Sequence, residues 1–211
     1  MISVSVLSSA ESEEVRGRVD LSLLISDGEG HEEKKELYVF RFFLPVPPIA
    51  GETLSPEEYD EIELAAEASR AAVKAAGILS YGDRTAKELK ERLKQKGFSP
   101  EAAAEATRWA CEKRYIREDE QLERLIHTLA ETKKYGMMRI REEIRQKGFS
   151  EDVVKAHFYD ITDTVDFEEI LRERIRKLPA DAFSVPEKKR KTVASLMRYG
   201  FSYEEIRRCV K

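Results

Sequence analysis

The sequence predicts a mainly α-helical protein in which tandem three-helix repeats follow a small antiparallel β subdomain. Charged residues make up 37% of the 211 residues, while glycine (10) and proline (7) are scarce, a composition that favours long solvated helices. Apolar residues alternate with polar ones over the first 50 positions and then recur at helical spacing from Glu57 onward. The tripeptide Gly-Phe-Ser occurs three times, at intervals of 51 and 52 residues, which indicates a repeated supersecondary unit.

The N-terminal segment, residues 1–54, is predicted to form a small antiparallel sheet. Alternation and enrichment in Val, Tyr and Phe predict strands over residues 2–7, 15–25 and 35–44. Gly28 and Gly30 lie between the last two strands and can adopt the positive φ that a hairpin reversal needs. We expect the prolines that follow the third strand to end it.

The helical part begins at a capping signature. Ser55 with Glu58 three residues later forms a capping box, and Pro56 suits the first helical turn. The first helices of the three units are expected at residues 62–81, 119–134 and 166–178. The predicted repeats span residues 55–114, 115–163 and 164–211, with a longer loop at residues 178–186 in the third.

The first copy of the repeat predicts how the second helix of a unit begins, packs and ends. Thr85 or Asp83 offers an N-cap, and Leu89 and Leu93 belong to the apolar stripe. Gly97 is expected to end this helix in the left-handed conformation, with a Schellman-type contact from Phe98. Ser99-Pro100 then begins the third helix as N-cap and first turn. Counting by the repeat assigns the same roles to Gly148 and Gly200.

Charge is distributed unevenly along the chain. Residues 1–81 hold 7 basic and 16 acidic side chains, a net charge of -9, whereas residues 82–211 hold 30 and 25, a net charge of +5. A polyanionic partner is therefore expected to meet the second part. The candidate partner-binding or DNA-binding residues lie there, on the second helix of each unit: Lys87, Lys90, Lys94, Arg141, Arg145, Lys188, Arg190, Lys191 and Arg198.

These basic residues have two interpretations. Lys87, Lys90 and Lys94 stand at i, i+3 and i+7 and form a stripe beside the apolar one, and Arg141 and Arg145 repeat the last two positions in the second unit. The recurrence favours a surface for DNA phosphates or for acidic patches on a protein. The alternative is an ordinary solvated helix with Glu/Lys pairing.

Patterns that would indicate catalysis or cofactors are missing from the sequence. Cys111 and Cys209 have no CxxC spacing, and His31, His127 and His157 have no metal-ligand spacing. The repeated glycines end helices instead of opening a phosphate-binding loop. No apolar run reaches the roughly 18 residues of a membrane span, and the N-terminus is unlike a signal peptide. We expect a cytoplasmic monomer that is not an enzyme, binds no cofactor and does not contact membranes.

Residues 60–211 resemble the RecX family, regulatory proteins that modulate the RecA recombinase in bacteria. The resemblance rests on four stretches in order: the basic helix ending at residues 96–99, the hydrophobic-acidic junction at 115–122, residues 134–148, and the terminal stretch 198–206. Some family members from Gram-positive lineages carry an N-terminal extension similar to the segment with Asp27-Gly28. The loop Leu178 to Phe183 departs from the family pattern.

The resemblance implies a non-catalytic protein, an elongated curved helical array that lies in the groove of a RecA filament on DNA. Such a protein restrains the ATPase, strand exchange and coprotease activities of RecA. Helical repeats form extended surfaces suited to wrapping a polymer, which agrees with a binding role. The implied partners are the RecA filament and, weakly, single- or double-stranded DNA. The alternative function is stand-alone DNA binding through helix-turn-helix-like units.

Overall fold

The computed structural model describes residues 3–210 and confirms the predicted fold class, mainly helical with a small N-terminal antiparallel sheet. Ile2, part of the predicted first strand, lies outside the described residues. The chain divides into two compact units, residues 1–116 and 117–211. The predicted division into one β subdomain and three repeats stays a prediction. None of the described helices is long and apolar enough to cross a membrane.

The sheet has the strand order β3-β2-β1-β4, and each neighbouring pair is antiparallel. Its strands are β1 (Ser3–Glu11), β2 (Arg18–Ser26), β3 (Glu32–Phe40) and β4 (Thr53–Leu54). The predicted bounds of the third strand, residues 35–44, are wrong, because β3 begins at Glu32 and ends at Phe40. The carbonyl of Phe40 accepts hydrogen bonds from the amides of Phe43 and Leu44, so the chain turns there and Leu44 is buried in the core of the sheet. The two-residue strand β4 was not predicted.

The first helix, α1 (Pro56–Ser80), belongs to two hydrophobic cores. Its first half packs Ile62, Ala65 and Ala66 against the inner face of the sheet. Its second half packs Ala71, Ala72 and Ala75 against α2 (Ala86–Gln95) and α3 (Pro100–Glu112). Alanines leave enough room for close neighbours on successive turns. The sheet and the first helical repeat therefore share one helix.

Between residues 117 and 210, six further α-helices surround a single core. They are α4 (Glu118–His127), α5 (Met137–Lys147), α6 (Glu151–Thr162), α7 (Phe167–Arg176), α8 (Pro186–Arg198) and α9 (Tyr203–Cys209). Leu122, Ile140, Leu171 and Phe201 all lie in this core, so residues from the second and third predicted repeats pack together. The first helix of the second repeat continues from α4 through a π-helical turn at Thr128–Thr132, which the sequence did not predict.

Candidate partner-binding surface

The repeated glycines end their helices in the left-handed conformation, as predicted. Gly97, Gly148 and Gly200 have φ values of 91°, 71° and 95°. At Gly97 the Schellman pattern is complete: the Phe98 amide donates to the Leu93 carbonyl at 3.3 Å, and the Gly97 amide donates to Lys94 at 3.0 Å. Gly200 repeats this pattern, whereas Gly148 is itself the C-cap residue.

Each repeated serine begins the next helix, which confirms the predicted N-cap. The hydroxyl oxygens of Ser99, Ser150 and Ser202 accept from amides in the first turns of α3, α6 and α9. The capping boxes at Ser55 and Thr85 are also present, each with its glutamate three residues on. The turn between the second and third helices of a unit is thus fixed by local hydrogen bonds.

In the first two units, a glutamate on the first helix accepts hydrogen bonds from the serine of this turn. Sequence reasoning missed this contact. Glu67 accepts from the Ser99 amide at 2.8 Å and from its hydroxyl at 2.6 Å. Glu118, which is buried, accepts from the Ser150 amide at 2.8 Å. Both glutamates stand 32 residues before their serine, so the repeat spacing was a signal that could have found them. In the third unit the Ser202 amide donates instead to Glu205, which lies on α9, the helix that Ser202 caps.

The predicted basic stripe of the first unit lies on α2. Lys87 and Lys94 are exposed and Lys90 is half-buried. Lys94 donates to Glu91 at 2.8 Å, and this hydrogen bond lowers the pKa of Glu91, with smaller electrostatic contributions from Lys90 and Lys87. Within residues 3–210, the side chains of Lys87 and Lys90 form no ion pair or hydrogen bond. Two of the three ammonium groups can therefore bind a partner without giving up a contact.

The equivalent arginines on α5 are engaged differently. Arg145 binds Glu142 with two hydrogen bonds of 3.0 and 2.8 Å, and together with Gln146 it lowers the pKa of Glu142 to about 2. Arg141 donates to the Tyr159 hydroxyl at 2.9 Å and lies over the Phe158 ring, 4.9 Å from its centre. Both guanidinium groups already have partners within their own unit.

The predicted basic residues of the third unit all lie on α8. Lys188 is paired with Asp181, and Lys191 with Glu187 at 2.8 Å. Arg190 and Arg198 are exposed and form no ion pair in the described part of the chain. The nine predicted residues therefore lie on three helices, α2, α5 and α8. The sets on α2 and α5 share the repeat spacing, and within the described residues the α2 set differs by its two unpaired lysines.

Comparison with known proteins relates this arrangement to one family. A family model described as the first three-helix domain of RecX matches residues 71–107, which cover the last ten residues of α1, all of α2 and the first eight residues of α3. The regulatory protein RecX of Bacillus subtilis (strain 168) is 27% identical over 161 residues, covering 74% of this chain and 60% of that protein. RecX of Chlorobaculum tepidum is 28% identical over 124 residues, covering 59% and 76%. The chain is therefore similar to RecX proteins over about three quarters of its length.

Solved RecX structures share the fold of this chain. A crystal structure of regulatory protein RecX superimposes with a TM-score of 0.64 at 20% identity, covering 97% of this chain and 98% of that one. RecX from Lactobacillus salivarius gives a TM-score of 0.59 at 24% identity, covering 68% and 94%. The chain spans about 60% of the length of the Bacillus RecX that it matches.

Proposed function

We propose that this protein binds the RecA filament assembled on DNA and inhibits or modulates its ATPase, recombinase and coprotease activities, without catalysing a reaction itself. The observation that carries the proposal is the match of residues 71–107 to the first three-helix domain of RecX. The similar proteins of Bacillus subtilis and Chlorobaculum tepidum are named regulatory protein RecX, which agrees with a role exerted through binding.

The unpaired lysines of α2 support a contact with polyanionic DNA or with acidic protein surface. A lysine that forms no ion pair loses no intramolecular contact on meeting a phosphate, whereas an arginine held by a carboxylate must exchange one partner for another. Lys87 and Lys90 are in the first situation and Arg145 is in the second. We therefore assign the larger share of the electrostatic contact to α2.

Stand-alone DNA binding through a helix-turn-helix unit fits the first unit less well. The helix after the glycine would have to enter the major groove with its N-terminal residues on base edges. In α3 this part of the helix holds Pro100 and the acidic Glu101, and Ala102 and Ala103 are fully buried against the core. The face that would read bases is used for packing.

The experiment is a titration of the protein into a RecA ATPase assay on single-stranded DNA. We expect sub-stoichiometric amounts to lower the ATPase rate, because a repeat array can contact neighbouring RecA protomers. The variant Lys87→Gln/Lys90→Gln should require more protein for the same effect, with Glu13→Gln/Glu14→Gln as a matched pair outside the helical units. An unchanged rate at molar excess over RecA contradicts the proposal. Binding to bare DNA without an effect on RecA supports the stand-alone alternative.

A further inference from the structure

The second unit contains a groove between α8, α9 and the loop that precedes α8. Half-buried and buried apolar groups line it, namely Phe183, Val193, Ile206 and Val210, together with the ring of the exposed Tyr203. Lys189 and Arg207 complete the lining, and both are exposed. An apolar floor therefore lies beside two cationic groups.

The charges around the groove leave these two cations available. The carboxylates nearest in sequence are already used: Asp181 pairs with Lys188, Glu187 with Lys191, and Glu205 caps the start of α9. In the part of the chain that the structure describes, the side chains of Lys189 and Arg207 form no ion pair or hydrogen bond. Glu204, three residues before Arg207, is exposed and does not pair with it.

The surroundings of these cations differ from those of the α2 lysines. Lys87 and Lys90 stand on a charged helix face whose neighbour is Glu91. Lys189 and Arg207 flank an apolar depression. A phosphate backbone needs only the charges, whereas a groove that combines an apolar floor with a cationic rim suits a ligand carrying both carboxylates and an apolar side chain.

We propose that this groove binds a short acidic peptide segment of a partner protein. One aliphatic or aromatic side chain of the segment packs on Val193, Ile206 and Val210, and flanking carboxylates pair with Lys189 and Arg207. The apolar contact supplies affinity and the charges supply orientation and association rate. This site lies outside the α2 surface, and its occupation does not depend on the function proposed above.

The test uses the full chain and a fluorescein-labelled peptide of aspartate and glutamate residues around one central leucine, with binding followed by fluorescence anisotropy. We expect Lys189→Glu/Arg207→Glu to weaken binding at least about tenfold, because like charges then face each other across the contact. The matched control Arg70→Glu/Lys74→Glu makes the same change in net charge at two exposed positions of α1 and should weaken binding less than about twofold. Replacing the leucine of the peptide by serine should weaken binding at least about fivefold.

Several results would overturn the proposal. Equal binding of the leucine and serine peptides shows that the apolar floor is not used. Equal weakening by the two double variants shows general attraction of an acidic peptide. A thymidine oligonucleotide that binds more tightly than the peptide and loses its affinity in Lys189→Glu/Arg207→Glu assigns the groove to nucleic acid. Thermal unfolding verifies that the variants are folded, and Lys189→Gln/Arg207→Gln, expected to show a smaller loss, replaces the charge reversal where it unfolds the protein.

Discussion

Gly97 and Gly200 occupy the same place in the repeated motif but have different neighbours. Both have positive φ and the same pair of Schellman hydrogen bonds. A Cβ at Gly97 would meet no described atom within 4 Å, whereas a Cβ at Gly200 would lie 2.4 Å from the Arg139 amide nitrogen and 2.7 Å from the Gly136 carbonyl oxygen. The same Gly-Phe-Ser motif thus ends a helix at the surface of the first unit, whereas in the second unit it also forms a close contact between two helices.

The α8–α5 joint consists of Tyr199 and Gly200 at the end of α8 and of Gly136 and Met138 at the start of α5. The Tyr199 carbonyl accepts from the Gly136 amide at 2.8 Å, and the Gly200 carbonyl accepts from the Met138 amide at 3.2 Å. Carbonyls at the end of one helix therefore satisfy amides at the start of another, with favourable alignment of their partial charges. Gly136, the N-cap residue of α5, has no side chain that could accept a hydrogen bond. The carbonyls at the end of α8 therefore cap α5 instead.

The largest effect is expected from Gly200→Ala. The added methyl group would overlap the backbone of α5 in addition to the strain at positive φ, so unfolding free energy should fall by about 3 kcal/mol or more. Gly97→Ala, which adds only the strain, should cost about 1 kcal/mol. Urea denaturation of both variants measures the difference. Equal losses would show that the joint contributes nothing beyond the left-handed turn.

A smaller loss is expected from removing the glutamate that holds the turn of the second unit. Glu118→Ala leaves the Ser150 amide without its carboxylate partner and should lower the free energy of unfolding by about 2 kcal/mol. Glu123→Ala, at an exposed position on the same helix, should change it by less than about 0.5 kcal/mol. Indistinguishable denaturation curves for the two variants would contradict the role assigned to Glu118.

Gly148→Val tests the second copy of the glycine. A β-branched residue is forced to positive φ there, so the unfolding free energy should decrease by about 1 kcal/mol or more. Gly148→Asn keeps a residue that tolerates the left-handed region and should retain most of the stability. The melting temperatures of the two variants provide the measurement, and an unchanged value for the valine variant would exclude a strained conformation at this site.

Local signals in the sequence predicted the helix ends well, because caps act over three or four residues. Ser55 with Glu58 and the Gly97-Phe98-Ser99 turn are examples. Contacts between distant residues were not predictable from such signals. The α8–α5 joint links positions more than 60 residues apart and depends on two glycines that have no side-chain pattern. The basic residues were located on the expected helices, but their ion pairs with Glu142 and Asp181 depend on side-chain geometry.

The smallest effect on the fold, and the sharpest comparison between the two units, is expected from neutralising the basic stripes. Converting Lys87, Lys90, Lys94, Arg141 and Arg145 to glutamine should weaken binding to the RecA filament on DNA and flatten its salt dependence. Each lost phosphate contact lowers the slope of log affinity against log salt by roughly 0.9 on duplex DNA and less on single strands. Thermal unfolding should stay close to wild type, because the five side chains lie outside the apolar cores.

Two partial variants separate the contribution of α2 from that of α5. One carries the three lysine substitutions and the other carries the two arginine substitutions. The three-lysine variant should account for most of the loss, because Lys87 and Lys90 are unpaired, whereas Arg141 and Arg145 must first leave Tyr159 and Glu142. Filament binding measured at several salt concentrations gives the two slopes. If the arginine pair changes the slope as much as the lysines do, the intramolecular contacts of α5 do not limit its availability. If neither variant changes affinity or slope, both stripes are solvated faces and the filament contact must lie elsewhere on the chain.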